Sequence, residues 1–159
     1  MIYWIQPLKQ KQKITRSILD VLPEWFGIEE ATSQYVKDVE DCDVVVKEVK
    51  GKVVGFIAVK QTSEQVLSLH VLGVLPNQHR QGIGKELFEA VKVYAKEKQF
   101  LFLSVKTLDS SCKNASYAKT LKFYQQLGFV KLETFSELWD KNNPCLMMIC
   151  TVYPYPQKS

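Results

Sequence analysis

The chain has no CxxC pair, no apolar run long enough to cross a bilayer and only two histidines, and each shortage removes a class of function. Its four cysteines (Cys42, Cys112, Cys145 and Cys150) are scattered along the sequence. They build neither a disulfide framework nor a Cys-rich zinc site, and with only His70 and His79 to add to them no metal is expected. Reduced, mostly buried thiols are the expectation. No apolar stretch approaches the roughly 18–20 residues of a membrane-spanning helix, so no membrane partner is expected. The opening MIYWI is too short for a secretory signal and lacks the basic residues that precede one, which leaves a cytoplasmic location as the default. No internal repeat and no low-complexity tract is present. The expectation is one domain over residues 1–159, large enough to bury a sizeable core, with an extended tail at 154–159.

What is present is unevenly charged. The formal net charge is only +4, yet Glu24 to Asp43 carries seven carboxylates against Lys37 alone, and the remainder of the chain is basic. One acidic region beside one basic region does not resemble a uniform nucleic-acid surface, and no nucleic-acid partner is expected.

Periodicity divides the chain into short elements. MIYWIQPL reads as a strand closed by Pro7, followed by a helix over about Gln10 to Leu22 that ends at Pro23. Gly27 to Val39 reads as a weaker helix carrying the acidic residues. DVVVKEV and VVGFIAVK flank a GK turn and predict a β-hairpin. EQVLSLHVLGVL gives a third long strand. Ile83, Leu87, Val91 and Tyr94 then fall at helical spacing opposite Lys85, Glu89, Lys92 and Lys96, which predicts an amphipathic helix of about four turns. FLFLSVKTL is apolar enough for a fully buried strand. Ala115 to Leu127 predicts another helix, with Gly128 placed to end it. Val130–Phe135 and Leu146–Tyr153 are expected strands joined by a turn region, ELWDKNNPC, in which NNP is the turn signal. The order implies a mixed α/β domain with helices on both faces of one sheet.

The chemistry-bearing stretch is VLPNQHRQGIGK, where a strand passes through a Gly-spaced turn into a helix. The first N–H groups of a helix lack internal partners and carry the positive end of its dipole. Glycines at 82 and 84 keep side chains away from those donors, while Arg80 and Lys85 add charge. An anion, most simply a phosphate, fits such a turn; a plain helix-capping turn is the alternative. Two nucleotide motifs fail here. Leu87 stands where the third glycine of GxGxxG belongs, and a P-loop is excluded by His79 in its early glycine position and Glu86 in place of Ser or Thr.

The pattern VxPxxHRQGIGK resembles the acetyl-CoA pyrophosphate loop of the GNAT acetyltransferases, usually written Q/R-x-x-G-x-G/A. FYQQLGF, Phe123 to Phe129, is similar to that family's later helix-to-strand signature, about forty residues downstream as the family requires. The resemblance covers nearly the whole chain. It implies an α/β fold, a single GNAT-like domain with a mixed, mostly antiparallel central sheet of about six to seven strands flanked by about four helices. It further implies acetyl-CoA as co-substrate. The strand ending at Leu72 and Val74 would splay from its neighbour and bind the pantetheine arm. The segment His79, Arg80, Gln81, Gly82, Ile83, Gly84 and Lys85 would hold the pyrophosphate, with Asn114 brought near the cofactor by its loop. His79 departs from the family's Q/R position.

The resemblance also distributes the catalytic roles. Acetyl transfer to an amine by direct attack in a ternary complex needs an unprotonated nucleophile and a proton for the departing thiolate. Tyr124 occupies the family's general-acid position and by the same resemblance would also contact the cofactor; a phenol, with its ordinary pKa of about 10, suits a thiolate leaving group. Its plainer reading is a tyrosine packed on a helix face. Many members carry a strand glutamate where this chain has Ser68, and His70, two residues on, is the candidate base. It resembles the second of the paired strand histidines of serotonin N-acetyltransferases. Capture of an amine already unprotonated in water, with His70 a hydrogen-bonded core residue, is the alternative. The family's asparagine seven residues before the tyrosine is Tyr117 here. Acyl-cysteine chemistry at Cys112 or Cys145 lacks a paired base in the sequence.

In this family the early helices line the acceptor site. Trp25, Phe26, Glu29 and Glu30 are therefore the candidate substrate-binding residues, suited to a small cationic amine through charge and cation–π contact, with Tyr35 adding a further ring. A solvated acidic helix face is the alternative. A protein or peptide acetyltransferase and a non-catalytic acyl-CoA-binding module are the competing functions, and an exposed edge strand leaves room for a homodimer.

Overall fold

The computed structural model describes residues 1–109, 111, 114–140 and 142–154. Cys112 and the expected tail beyond residue 154 lie outside the described residues. The elements run β1 (Ile2–Ile5), α1 (Leu8–Leu19), α2 (Glu29–Asp38), β2 (Asp43–Val49), β3 (Lys52–Ser63), β4 (Val66–Val74), α3 (Ile83–Glu97), β5 (Phe102–Leu108), α4 (Ala115–Leu127), β6 (Val130–Asp140) and β7 (Asn143–Thr151), with 3-10 turns at Val39–Asp41 and Pro76–Gln78. The strands make a seven-stranded, mostly antiparallel sheet in the order β1-β2-β3-β4-β5-β7-β6. Close contacts group the chain into two compact units, Met1–Lys60 with Leu69–Tyr94, and Gln61–Ser68 with Ala95–Ser159.

In the first unit, β1 pairs antiparallel with β2 (Ile5 opposite Val44) and β2 with β3 (Val44 opposite Ala58). The chain reverses between β2 and β3 at Lys50 and Gly51, with φ of 51° and 77°. Two successive left-handed residues match the strands' right-handed twist, which is why the reversal falls at Lys50–Gly51 and not, as the sequence suggests, at Gly51–Lys52. Helix α1 follows Pro7 and buries Lys11, Ile14, Thr15, Ile18 and Leu19, a stripe at helical spacing. It starts two residues earlier and ends three earlier than expected. Beyond it the chain turns back on itself, with Leu22 N bonded to Leu19 O and Phe26 N to Leu22 O.

The core of this unit joins Ile14, Ile18, Leu19 and Leu22 to Val44, Val46, Phe56, Ala58 and Val71. Gly73 lets α1 rest on the backbone of β4: a Cβ there would lie 2.9 Å from Ile18 Cγ2 and 3.1 Å from Leu22 Cδ1. A Cβ at Gly55 would instead meet Ile83 and Leu87 of α3, at 3.1 and 3.2 Å. Phe56 packs with α1, and since successive strand residues point to opposite faces, α1 and α3 cover opposite faces of the sheet.

In the second unit the start of β4 lies beside β5. Leu101 N and Phe102 N donate to Gln65 O, and Ser68 Oγ donates to Ser104 O at 3.4 Å. Strand β7 pairs antiparallel with β5 (Val105 opposite Met148) and with β6 (Val130 opposite Ile149). Helix α4 has the bounds read from the sequence, ending at Gly128 with φ 106°; the Gly128 N–H donates to the Gln125 and Tyr124 carbonyls. The expected ELWDKNNPC turn region is corrected: Glu137–Asp140 continue β6 and Asn143–Cys145 begin β7, leaving a reversal between Asp140 and Asn143. The Asp140 carboxylate holds it, accepting from Asn142 N at 2.8 Å and Asn143 Nδ2 at 2.9 Å. Pro144 is tolerated in β7 because only its carbonyl is used, accepting from Asp109 N.

Candidate active site

The Gly-spaced turn takes the form the sequence implies. Strand β4 ends at Val74, a 3-10 turn covers Pro76–Gln78, and α3 opens at Ile83. Arg80 and Gly82 are both left-handed, with φ of 66° and 77°. Holding a non-glycine residue at Arg80 there costs about 1–2 kcal/mol, a local strain of the kind that collects at functional turns. A Cβ at Gly82 would meet nothing within 4 Å, so the backbone at this point faces open space. Glu86 N donates to Gly82 O, closing the first turn of α3, and the amides ahead of it have no partner within the helix. Arg80, Gln81, Gly82 and Lys85 are exposed and Gly84 is half-buried. Ile83 is buried and packs toward Gly55, so only its main chain faces the turn.

His79 behaves differently from its loop neighbours. Its Nε2 lies 2.7 Å from Val74 O, so the ring donates back to the end of β4, and its edge meets the Trp25 ring at 5.9 Å. The carbonyl assigned by resemblance to the pantetheine arm is therefore the one His79 engages. Burial alternates along β4, with Ser68, His70, Leu72 and Val74 half-buried and Leu67, Leu69, Val71 and Gly73 buried.

His70 has a partner that sequence spacing does not announce. Its Nε2 lies 2.8 Å from Asp38 Oδ2, at the last residue of α2. Gln34, one turn earlier on the same helix, donates to the other carboxylate oxygen at 2.7 Å. Burial works against ionisation of Asp38, but hydrogen bonds from Gln34 and His70, with the positive charge of His70 and Lys60, hold its carboxyl below the ordinary range. The Tyr35 ring meets the imidazole edge-on at 5.6 Å, and Phe26 meets Tyr35 at 5.8 Å. The His70 side chain remains 30% exposed.

The other candidate acceptor-site residues divide. Trp25 and Phe26 are half-buried against His79 and Tyr35. Glu29 is exposed but engaged, accepting from Arg16 and from Ser33 Oγ, each at 2.9 Å, and these bonds hold its carboxyl below the ordinary range. Glu30 is exposed at the start of α2. The acidic segment is thus not one uniform face: Asp38 and Glu29 are committed within the unit, as is Asp43, which accepts from the Tyr94 hydroxyl.

In the second unit, Tyr124 is buried on α4 with its ring 5.6 Å from Phe123 and 5.7 Å from Phe129. Asn114 is the N-cap of α4, its side-chain oxygen accepting from Ser116 N at 3.0 Å and Tyr117 N at 3.3 Å. Cys42, Cys145 and Cys150 are free and buried. Burial pushes the Cys42 thiol up to about 11 and also raises that of Cys145, the opposite of what an acyl-cysteine would need. Among the described residues no cluster of three His, Cys, Asp or Glu side chains is assembled, and no helix is long and apolar enough to cross a membrane.

Residues 40–131 match the family model described as an acetyltransferase (GNAT) domain. No curated protein sequence matches the chain. Among solved structures, a GNAT-family protein of Desulfovibrio desulfuricans superposes with a TM-score of 0.80 at 14% identity, covering 96% of this chain and 100% of that one. The aminoglycoside 6'-N-acetyltransferase of Enterococcus faecium gives 0.73 at 16% identity, over 99% of each chain. A GNAT-family acetyltransferase of Elizabethkingia anophelis with acetyl-CoA bound gives 0.69 at 17% identity, over 95% of this chain and 97% of that one. At these identities the likeness is one of fold.

Proposed function

This chain belongs to the GNAT acetyltransferase family, and on that premise we propose that it moves an acetyl group from acetyl-CoA to a primary amine by direct attack within a ternary complex, the acceptor being a small cationic amine. The observation that carries the reading is the open, left-handed turn at residues 80–82 at the start of α3. Its unpartnered amides, with Arg80 and Lys85 beside them, suit the pyrophosphate of the co-substrate. Leu72 and Val74 are the candidates for the pantetheine arm, with the Val74 carbonyl already accepting from His79. Asn114 lies in the loop before α4, with its side-chain oxygen used as a cap.

His70 takes the proton from the acceptor amine, directly or through one water, and Tyr124 returns a proton to the departing thiolate. Trp25 and Phe26, with the exposed carboxylate of Glu30 and the partly engaged Glu29, favour a cationic acceptor through charge and ring contact. The Enterococcus faecium relative is described as acting on aminoglycosides, which are such amines.

Calorimetric titration with acetyl-CoA, desulfo-CoA and ATP tests the turn, and a panel of polyamines, aminoglycosides, neutral amines and lysine peptides with thiol-release detection tests the transfer. The expected result is micromolar binding of acetyl-CoA with little response to ATP, and turnover of cationic amines that weakens as salt rises. Tyr124→Phe is expected to lower kcat by about 10²-fold or more, in the range of a lost general acid. No binding at millimolar acetyl-CoA would remove the proposal. Turnover of lysine peptides alone would replace the small-amine acceptor with a protein one.

A further inference from the structure

We propose that Asp38 is the positioning residue of the site: it holds His70 with the proton on Nε2, so that Nδ1 is the atom that takes the proton from the acceptor amine. This inference rests on the acetyl-transfer reading and names the part of it that geometry can specify.

An ionised carboxylate can only accept hydrogen bonds, and both oxygens of Asp38 are engaged, one by Gln34 Nε2 and the other by the imidazole at 2.8 Å. The contacting ring atom is Nε2, so a neutral His70 must carry its hydrogen there. Among the described residues no group hydrogen-bonds Nδ1, and Tyr35 restrains the ring edge-on. A neutral imidazole fixed in this way presents its lone pair at Nδ1. When Nδ1 binds the amine's proton, the Nε2–H bond to Asp38 is kept and the imidazolium lies against a negative charge; no proton needs to move to the carboxylate.

Charged groups surround the pair, with Lys11 and Asp41 acting on the neighbouring Cys42. Lys60 of β3 adds positive charge near Asp38. Cys42, held up to about 11 by burial, is a neutral thiol at neutral pH, and Tyr35 is the ring neighbour on α2.

Asp38→Asn is the informative variant because it keeps shape and removes charge. With the amide oxygen still taking the Gln34 donor, its NH2 faces Nε2 as a donor and drives the ring proton to Nδ1, the wrong atom for catalysis. The two ring nitrogens of His70 are resolved by 15N chemical shift in the intact protein, a readout independent of activity. The expected result is an Nε2–H tautomer in the wild type that is lost in Asp38→Asn. With it, kcat/KM for the amine should fall about 10²-fold, acetyl-CoA affinity should stay unchanged by calorimetry, and Asp38→Glu should recover part of the rate.

The base limb of the pH–rate profile should vanish in His70→Gln and be altered in Asp38→Asn. A ring found as Nδ1–H in the wild type, or a tautomer indifferent to Asp38→Asn, overturns the positioning role. A tautomer that moves while kcat/KM does not overturns Nδ1 as the base. A wild type with the expected tautomer that binds acetyl-CoA but acetylates no amine overturns the transfer reading itself, and with it the use of Nδ1.

Discussion

Gly51 and Gly82 form an internal control for the cofactor turn proposed above. Both have φ of 77° and both would point a Cβ into space empty to 4 Å, one in the β2–β3 reversal and the other ahead of α3. Alanine at either position meets no clash. It must hold a left-handed backbone at a cost of about 1–2 kcal/mol, offset by about 0.4–1 kcal/mol from the stiffer unfolded chain. Each variant should therefore lose about 1 kcal/mol, a fall in Tm of about 2–4 °C for a chain of this size. Against a total stability of about 5–15 kcal/mol both remain folded. Any loss of binding must then come from the site. Only Gly82→Ala places a methyl group where the pyrophosphate would approach the amides of α3, and acetyl-CoA affinity should fall at least about tenfold, or about 1.4 kcal/mol. Gly51→Ala should bind as the wild type does. Urea denaturation and acetyl-CoA calorimetry on the three proteins decide the matter. Equal affinity in Gly82→Ala and wild type would refute the cradle, and an equal loss in both variants would assign the effect to general destabilisation.

Three other outcomes follow from the same structure. Gly128→Ala places a side chain at φ 106° at the end of α4 and should destabilise by about 1–2 kcal/mol, with Gly128→Asn losing less because asparagine tolerates left-handed backbone; urea midpoints measure both. Asp38, with its folded carboxyl held below the ordinary value of about 3.9, contributes stability that is fully present above that value and lost as pH falls through the folded one. The difference in urea midpoint between wild type and Asp38→Asn should therefore not shrink between pH 6 and pH 5 and should shrink as pH falls below about 4; a difference that grows below pH 4 would contradict the pairing with His70. Cys42, raised to about 11 by burial, should resist a thiol reagent at pH 8 in the folded protein, with only about one thiol in a thousand ionised, and react promptly in denaturant.

The elements that sequence pattern located well are those whose cause is local. Ala115–Leu127 ends where Gly128 allows a left-handed cap, and Ile83, Leu87 and Val91 place the buried face of α3 at helical spacing. The β-branched runs of β2 and β3 likewise announce themselves. Misreadings arose where a longer-range partner decides the outcome. Glu137–Asp140 belongs to a stretch of turn-like composition but continues β6, with Asp140 opposite Asn143 of β7, a pairing that a local window does not announce. The reversal at Lys50–Gly51 was displaced by one residue because the twist of two paired strands selects its position.

The candidate site divides in the same way. The Gly82 turn and its charges were legible because anion binding at a helix N-terminus is a property of one contiguous segment. The contact of Asp38 with His70 was not, since Asp38 was one carboxylate among seven in an acidic stretch and its partner lies 32 residues away. The structure engages Glu29 with Arg16 and Ser33, and Asp43 with Tyr94, which separates structural carboxylates from the one that faces the imidazole.

Sequence alone determined the family, the order of elements and the turn that suits a phosphate, because spacing, glycine placement and helix polarity are written within a few residues of one another. Only the tertiary structure decided which ring nitrogen of His70 is held, that His79 turns back to Val74, and which acidic side chains are already committed. Those are distances between side chains brought together by α2, α1 and β4 packing on one core, and no local pattern specifies a 2.8 Å contact between residues 38 and 70.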